Sequence, residues 1–249
     1  MTTTQKTWCA PLLALALTAC ATTPGAQPHD MSAMQHESEA TKEAAAADAH
    51  ATQFDPAARD ERTRCTSGSR VSDTGGACWT STTNPTAEHT RSADEHRKHA
   101  ADHRAASAAL RDAESRACGG ISADDRDASP FDHFEDVSSV APLYEDGGNS
   151  KQPSRRAVGA IVTFRAVPGM SAEWMQRLVD CHLARNAALG HVVPEMPDCP
   201  LVPNHISAAV TSTGAGFAVA IRSSDAEMAK EVLARAQRLR ASSSPVAGR

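Results

Sequence analysis

The large apolar side chains of this chain crowd into roughly its last hundred residues, which confines any sizeable hydrophobic core to the C-terminal end. The 249 residues are 41% hydrophobic, but much of that fraction is alanine, and aromatic residues make up only 4%. One core is expected, with a poorly buried N-terminal half. Within the apolar region, Ala160, Val162, Phe164 and Ala166 alternate with Ile161, Thr163, Arg165 and Val167, the period of a strand. Both faces are fairly apolar, so this strand belongs in the middle of its sheet. Pro168-Gly169 turns the chain, and Ser171 can cap a helix running to about Leu189, with Trp174, Leu178, Val179 and Leu183 inward and Gly190 as its stop. A proline-stiffened loop leads to a second strand (Ile206, Ala208, Val210), and Gly214-Ala215-Gly216 turns into a third (Phe217, Val219, Ile221). Ser224-Asp225-Ala226-Glu227 reads as a capping box before a last helix that buries Ala229, Val232, Leu233, Ala236 and Leu239. The fold class is therefore α+β: a small ferredoxin-like β-α-β-β-α domain over residues 157–241, short of its fourth strand unless another part of the chain supplies it, followed by a tail at 242–249.

Upstream, Asn84-Pro85 offers a helix start and Gly119-Gly120 a stop, with no proline or glycine between Pro85 and Gly119. This predicts a long Ala/His-rich helix within a segment spanning 85–144, which also holds a short capped turn at Ser122 and the run Ser129-Pro130-Phe131-Asp132-His133-Phe134. Phe131 and Phe134 could pin that run onto the helix or the C-terminal domain. Residues 145–156, with Gly147, Gly148, Asn149 and Pro153, read as a linker, and 63–84 as a Ser/Thr/Gly-rich loop. Residues 31–53 are rich in Ala and Glu and could be helical in part, but they lack an apolar stripe to bury.

The first nineteen residues read as a processing signal. Lys6 is their only charge and precedes Leu12-Leu13-Ala14-Leu15-Ala16-Leu17, too short for the ~20 residues of a spanning helix. The run ends in Leu17-Thr18-Ala19-Cys20, which resembles the lipobox of bacterial lipoproteins. That resemblance implies cleavage before Cys20, lipidation of its sulfur and attachment to a membrane through the lipid. Residues 20–84 then form a lipid-anchored tether, partly helical or disordered. Ala21, in place of an aspartate resembling an inner-membrane retention signal, implies the periplasmic face of the outer membrane. Loss of Lys6 takes the formal net charge from −5 to −6, which argues against nucleic acid as a partner.

An oxidising periplasm permits disulfides. Besides Cys9 and Cys20, the chain has Cys65, Cys78, Cys118, Cys181 and Cys199. Proximity suggests Cys65–Cys78 and Cys181–Cys199, with Cys118 left over; exchange of Cys118 into the first pair is the alternative. The loop closed by Cys181–Cys199 would gain ~3 kcal/mol in the chain-entropy model.

His96, His99 and His103 recur along the long helix at spacings that place them on one face, with His89 seven residues before His96. Neutral imidazoles so arranged suit copper, zinc or nickel, and His89, His133 or Cys118 could complete a shell. Arg97, Lys98 and Arg104 are interleaved and work against a nearby dication; a solvated polar face, or one that titrates near neutrality, accounts for the same residues. A second group, Cys181, His182, His191, Glu195, Met196 and Cys199, invites a copper reading, with the disulfide as its structural alternative. Gly169-Met170-Ser171 after a strand resembles the start of heavy-metal-associated domains, which supports the topology. Ala172 and Met175, however, stand where that family's two thiols belong, so soft-metal transfer is not implied. Serine-hydrolase, zinc-protease, phosphate-loop and dinucleotide motifs are all missing from the sequence. The leading expectation is a non-enzymatic envelope lipoprotein that binds an envelope protein or supports envelope structure; its rival is a periplasmic Cu, Zn or Ni binder using the His96–His103 face.

Overall fold

A computed structural model describes residues 23–65, 78–149 and 152–242. The expected signal, Cys20 and the tail beyond Ser242 lie outside the described residues. In chain order the elements are α1 (Ala33–Gln53), β1 (Asp60–Cys65), β2 (Cys78–Thr83), α2 (Ala87–Ala117), α3 (Ala123–Asp127), a 3₁₀ turn (Phe134–Asp136), β3 (Val137–Asn149), β4 (Gln152–Arg165), α4 (Ala172–Ala188), β5 (Ile206–Ser212), β6 (Gly216–Ser223) and α5 (Ala226–Ser242). The fold is α+β, with two antiparallel sheets among the described residues.

The larger sheet has the order β3-β4-β6-β5, and every neighbouring pair is antiparallel. β4 is interior, as its apolar faces predict. Its Val158, Ala160, Val162 and Phe164 point to one side, where they meet Val219 and Ile221 of β6 and the buried faces of α4 (Met175, Val179) and α5 (Val232, Ala236, Leu239). Ser171 caps α4 by accepting from the Trp174 amide, and Asp225, one residue after the expected Ser224, caps α5 by accepting from Glu227 and Met228. Gly159 sits at φ 149° opposite β6, where a Cβ would stand 1.9 Å from the Ile221 carbonyl oxygen. Only glycine fits that approach.

The sheet's fourth strand is β3, supplied from outside the expected domain, and it overturns one sequence expectation. Residues 145–156 are not a linker: Glu145–Asn149 and Gln152–Arg156 pair as the distal arms of the β3–β4 ladder. Opposite charges face one another there, Glu145 with Arg156 and Asp146 with Arg155, and the Arg155 guanidinium lies 4.4 Å from the Tyr144 ring centroid. Phe131 is the residue that pins the preceding segment. It is buried against Phe164, while Phe134 stays largely exposed.

The region read as a tether is also more ordered than expected. α1 covers nearly the span that its alanines suggested and packs antiparallel along α2, so α2 supplies the face that α1 seemed to lack. β1 and β2 form a hairpin within the expected loop, joined by the Cys65–Cys78 disulfide; residues 66–77 lie outside the described residues. The remaining expected pairing is corrected. Cys181 bonds Cys118, not Cys199, with a Cα–Cα separation of 4.5 Å. Cys118 caps the end of α2 and meets Cys181 on α4, whereas Cys199 is a buried free thiol in the sheet core, its ionisation opposed by burial. The disulfide fastens the helical hairpin to the α/β domain. Arg185 reinforces that joint through Glu114 and Asp127, and Leu110, Ala33 and Ala188 form a small apolar cluster beside it. Gly190, at φ 68°, ends α4 against Ser32, the N-cap of α1; a Cβ there would come within 2.9 Å of the serine Cβ.

Candidate metal centre

The seam between α1 and α2 is built from two interleaved seven-residue repeats. On α1, Ala33, Ala40 and Ala47 are buried, and His36, Glu43 and His50 each follow three residues later. On α2, Ala93, Ala100 and Ser107 are buried in the same way, and His96, His103 and Leu110 each follow three residues later, with His89 one repeat earlier. Residues at such spacings form one helix face. Alanine layers let two backbones approach closely, and the antiparallel run brings the long polar residues into opposed layers. His36 meets His103, Glu43 meets His96 and His99, and His50 meets His89.

In the middle layer, the His96 Nδ1–H donates to Glu43 Oε2 at 2.6 Å, and His99 Nδ1 lies 3.5 Å from the same oxygen. This hydrogen bond is the main reason the Glu43 carboxyl is held below its ordinary range; burial opposes it, and the smaller fields of His96, His99 and His103 add to it. Ligand atoms of Glu43, His96 and His99 all lie within 4.8 Å of one another, so the group can hold a metal ion. Side-chain exposures of 26%, 31% and 39% leave the group accessible from solvent. Two imidazoles and a carboxylate form a borderline donor set with room for a further ligand.

The layer toward the start of α1 is sealed. His36 and His103 bring their Nδ1 atoms to 3.0 Å, with residue exposures of 0% and 6%. At that distance one Nδ1 donates its proton to the other, since two N–H groups facing each other would leave no acceptor. Burial, and then the neighbouring His103, lower the affinity of His36 for a proton. The layer at the other end is open. His50 and His89 face each other at 3.2 Å between Nδ1 atoms, and the His50 ring stacks on His96 with centroids 5.4 Å apart.

Of the three histidines singled out in the sequence, the structure keeps His96 and His99 together and assigns His103 to the neighbouring layer. The third donor is Glu43, on the other helix. Its signal was the alanine repeat of residues 33–47, whose period matches that of α2. The other suggested donors stand apart: Cys118 is in a disulfide, and His133 is exposed beside Glu135. The second sequence cluster does not converge. His182 is buried and bonds the Asp125 carbonyl, His191 bonds the Val202 carbonyl, and Met196 and Cys199 lie in the core. Met175, at the position resembling a heavy-metal thiol, is core as well. Near the seam, Lys98 is engaged by Asp102, which it holds, with help from Thr23, down to about 2. Arg97 pairs with Asp94. Two of the interleaved cations are thus directed at carboxylates other than Glu43. Comparison of the chain with protein-family models, curated proteins and solved structures finds no match among any of them.

Proposed function

We propose that this chain is a non-enzymatic lipoprotein of the periplasmic face of the outer membrane that binds a transition-metal ion (zinc, copper or nickel) through Glu43, His96 and His99. The observation that carries the reading is Glu43. It comes from a separate helix and completes, with two imidazoles one turn apart, a three-donor set with an accessible open side. At metal–nitrogen lengths of about 2.0–2.1 Å, the edges of a tetrahedral shell are ~3.4 Å. The 3.5 Å His99–Glu43 edge already fits, and the 2.6 Å His96–Glu43 hydrogen bond would open by under ~1 Å as the metal replaces its proton. An open fourth position suits an ion that is exchanged more than one locked in as structural support.

The address rests on the lipobox and is supported by the two disulfides, which belong to an oxidising compartment. The described residues include no helix long and apolar enough to cross a membrane, so attachment in this reading falls to the lipid on Cys20. Thr23 donates to Asp102 midway along α2. Three residues of chain reach at most about 10 Å, so lipid on Cys20 would hold the hairpin close to the membrane surface. The C-terminal sandwich is read here as ferredoxin-like, with β3 standing where the fourth strand would run, and it serves as the rigid base of the hairpin.

The test uses residues 20–249 with Cys20→Ser, exported, purified and assayed for bound metal before and after dialysis. Stoichiometric zinc, copper or nickel is expected in the parent. It should be lost in Glu43→Ala and in His99→Ala while the helical circular dichroism stays unchanged. Metal that persists in both variants, or a metal-free parent that takes up none of the three ions, refutes the proposal and points instead to a protein partner.

A further inference from the structure

Beyond the central group, the seam holds a second pair of donors that faces solvent. We infer that His50 and His89 form a second, exchangeable cation position at the open end of the hairpin, one repeat from the first. The inference rests on the reading of this seam as cation-binding.

The geometry is that of two cis ligands. With Nδ1 atoms 3.2 Å apart, an ion ~2.0 Å from each would subtend about 105°, close to a tetrahedral angle. The atoms come from opposite helices, His50 from the last turn of α1 and His89 from the first turns of α2, so the ion would clip the ends of the hairpin together. The His50 ring does not swing freely, because it stacks on His96 with an interplanar angle of 14°. His96 therefore belongs to both positions, as a ligand of one and as the wall that aims the other.

The sealed His36–His103 pair shows why the open end is chosen. It has nearly the same Nδ1 separation, but at 0% and 6% exposure it leaves no space for the water ligands that a two-imidazole site needs. His50 and His89 are only half-buried, so water can complete the shell of a divalent ion. Chemistry of this kind takes imidazole-favouring ions (Cu²⁺, Zn²⁺, Ni²⁺) and excludes Mg²⁺ and Ca²⁺, which want oxygen donors. The two positions lie about 10 Å apart along the helices, so mutual repulsion should weaken the second ion by about tenfold. The seam then has a tighter central position with a carboxylate and a weaker outer one without.

The experiment is a Zn²⁺ titration of the Cys20→Ser chain against a chromophoric chelator, repeated with Co²⁺, whose visible absorption reports coordination number. Two equivalents are expected in the parent. His50→Gln and His89→Gln, changes on different helices, should each remove the weaker equivalent and leave the tighter one. His99→Ala should remove the tighter one. A parent that binds one equivalent, lost in His99→Ala, leaves the central site standing and overturns the second position. Two equivalents that persist in both glutamine variants overturn it too. A parent that binds none overturns both readings. Circular dichroism on each variant identifies any loss of binding that follows unfolding, and retention of the tighter equivalent is itself evidence that the hairpin is intact.

Discussion

Replacing both Cys118 and Cys181 with serine removes the one disulfide between the helical hairpin and the α/β domain among the described residues. The bond closes a chain separation of 63 residues. In the chain-entropy account, a loop of that size restricts the unfolded chain by roughly 14 cal/mol/K, or about 4 kcal/mol at 25 °C. For comparison, Cys65–Cys78, at a separation of 13, is worth about 3 kcal/mol in the same account. With a urea m-value near 2 kcal/mol/M, the loss of 4 kcal/mol should lower the unfolding midpoint by about 2 M. Unfolding of the Cys20→Ser chain in a Trp79→Phe background is followed by circular dichroism at 222 nm, where the long helices dominate, and by the fluorescence of Trp174 on α4. The noncovalent joint that remains has a small apolar part, Leu110 with Ala33, Ala187 and Ala188, and a polar part that includes the Arg185 ion pairs and the Arg177 hydrogen bond to the Gly119 carbonyl. Helicity is therefore expected to fall at lower urea than the tryptophan signal. Peptide mapping of the parent supplies an independent check, since it must yield a Cys118–Cys181 peptide and an unmodified Cys199. A midpoint shift under about 0.5 M, or a mapped Cys181–Cys199 bridge, refutes the reasoning.

The remaining expectations concern protons and packing. His182 is fully buried, its Nε2–H donates to the Asp125 carbonyl, and burial holds its pKa below the usual 6.5. The unfolded chain then binds a proton that the folded chain refuses. Stability is complete above pH 6.5 and declines as pH falls through it, with a slope up to ~1.4 kcal/mol per pH unit from this residue. Urea midpoints in chelator at pH 7.5 and 5.5 measure this. His182→Asn should flatten the dependence, and an unchanged slope would contradict the assignment. Ala100 is buried in the seam between the His96 and His103 layers, so Ala100→Leu should overpack it, costing about 1–3 kcal/mol, and part Glu43 from His96 and His99. Zinc affinity should drop at least tenfold, while Ala101→Leu, on the exposed side of α2, should leave it unchanged. Equal affinity in the two variants would show that close helix approach is not what assembles the site.

Local chemistry determined much of this protein. The alternation of β4, the serine cap and glycine stop of α4, and the uninterrupted run of α2 are each written in neighbouring residues, and each element lies close to where its pattern put it. The run Leu17-Thr18-Ala19-Cys20, which resembles a lipobox, is likewise read from neighbouring residues alone and lies outside the described residues. Other features depended on residues far away in the chain. β3 carries Pro142 and ends in Asp146-Gly147-Gly148-Asn149, a composition that reads as linker. It is a strand because β4 offers it a ladder, and because an edge position tolerates a proline that cannot donate. The Cys181 pairing follows the same logic. Eighteen residues separate it from Cys199 in the chain, yet the sheet core claims Cys199, and α2 delivers Cys118 to the opposite side of α4. The candidate Glu43–His96–His99 group divides between the two kinds of information. One helix's period puts His96 and His99 on a common face, but Glu43 is an ordinary acidic residue of an ordinary alanine-rich stretch until α1 lies against α2. Which polar residues then meet is decided by the antiparallel register of two alanine seams, a property of the pair that neither helix carries alone.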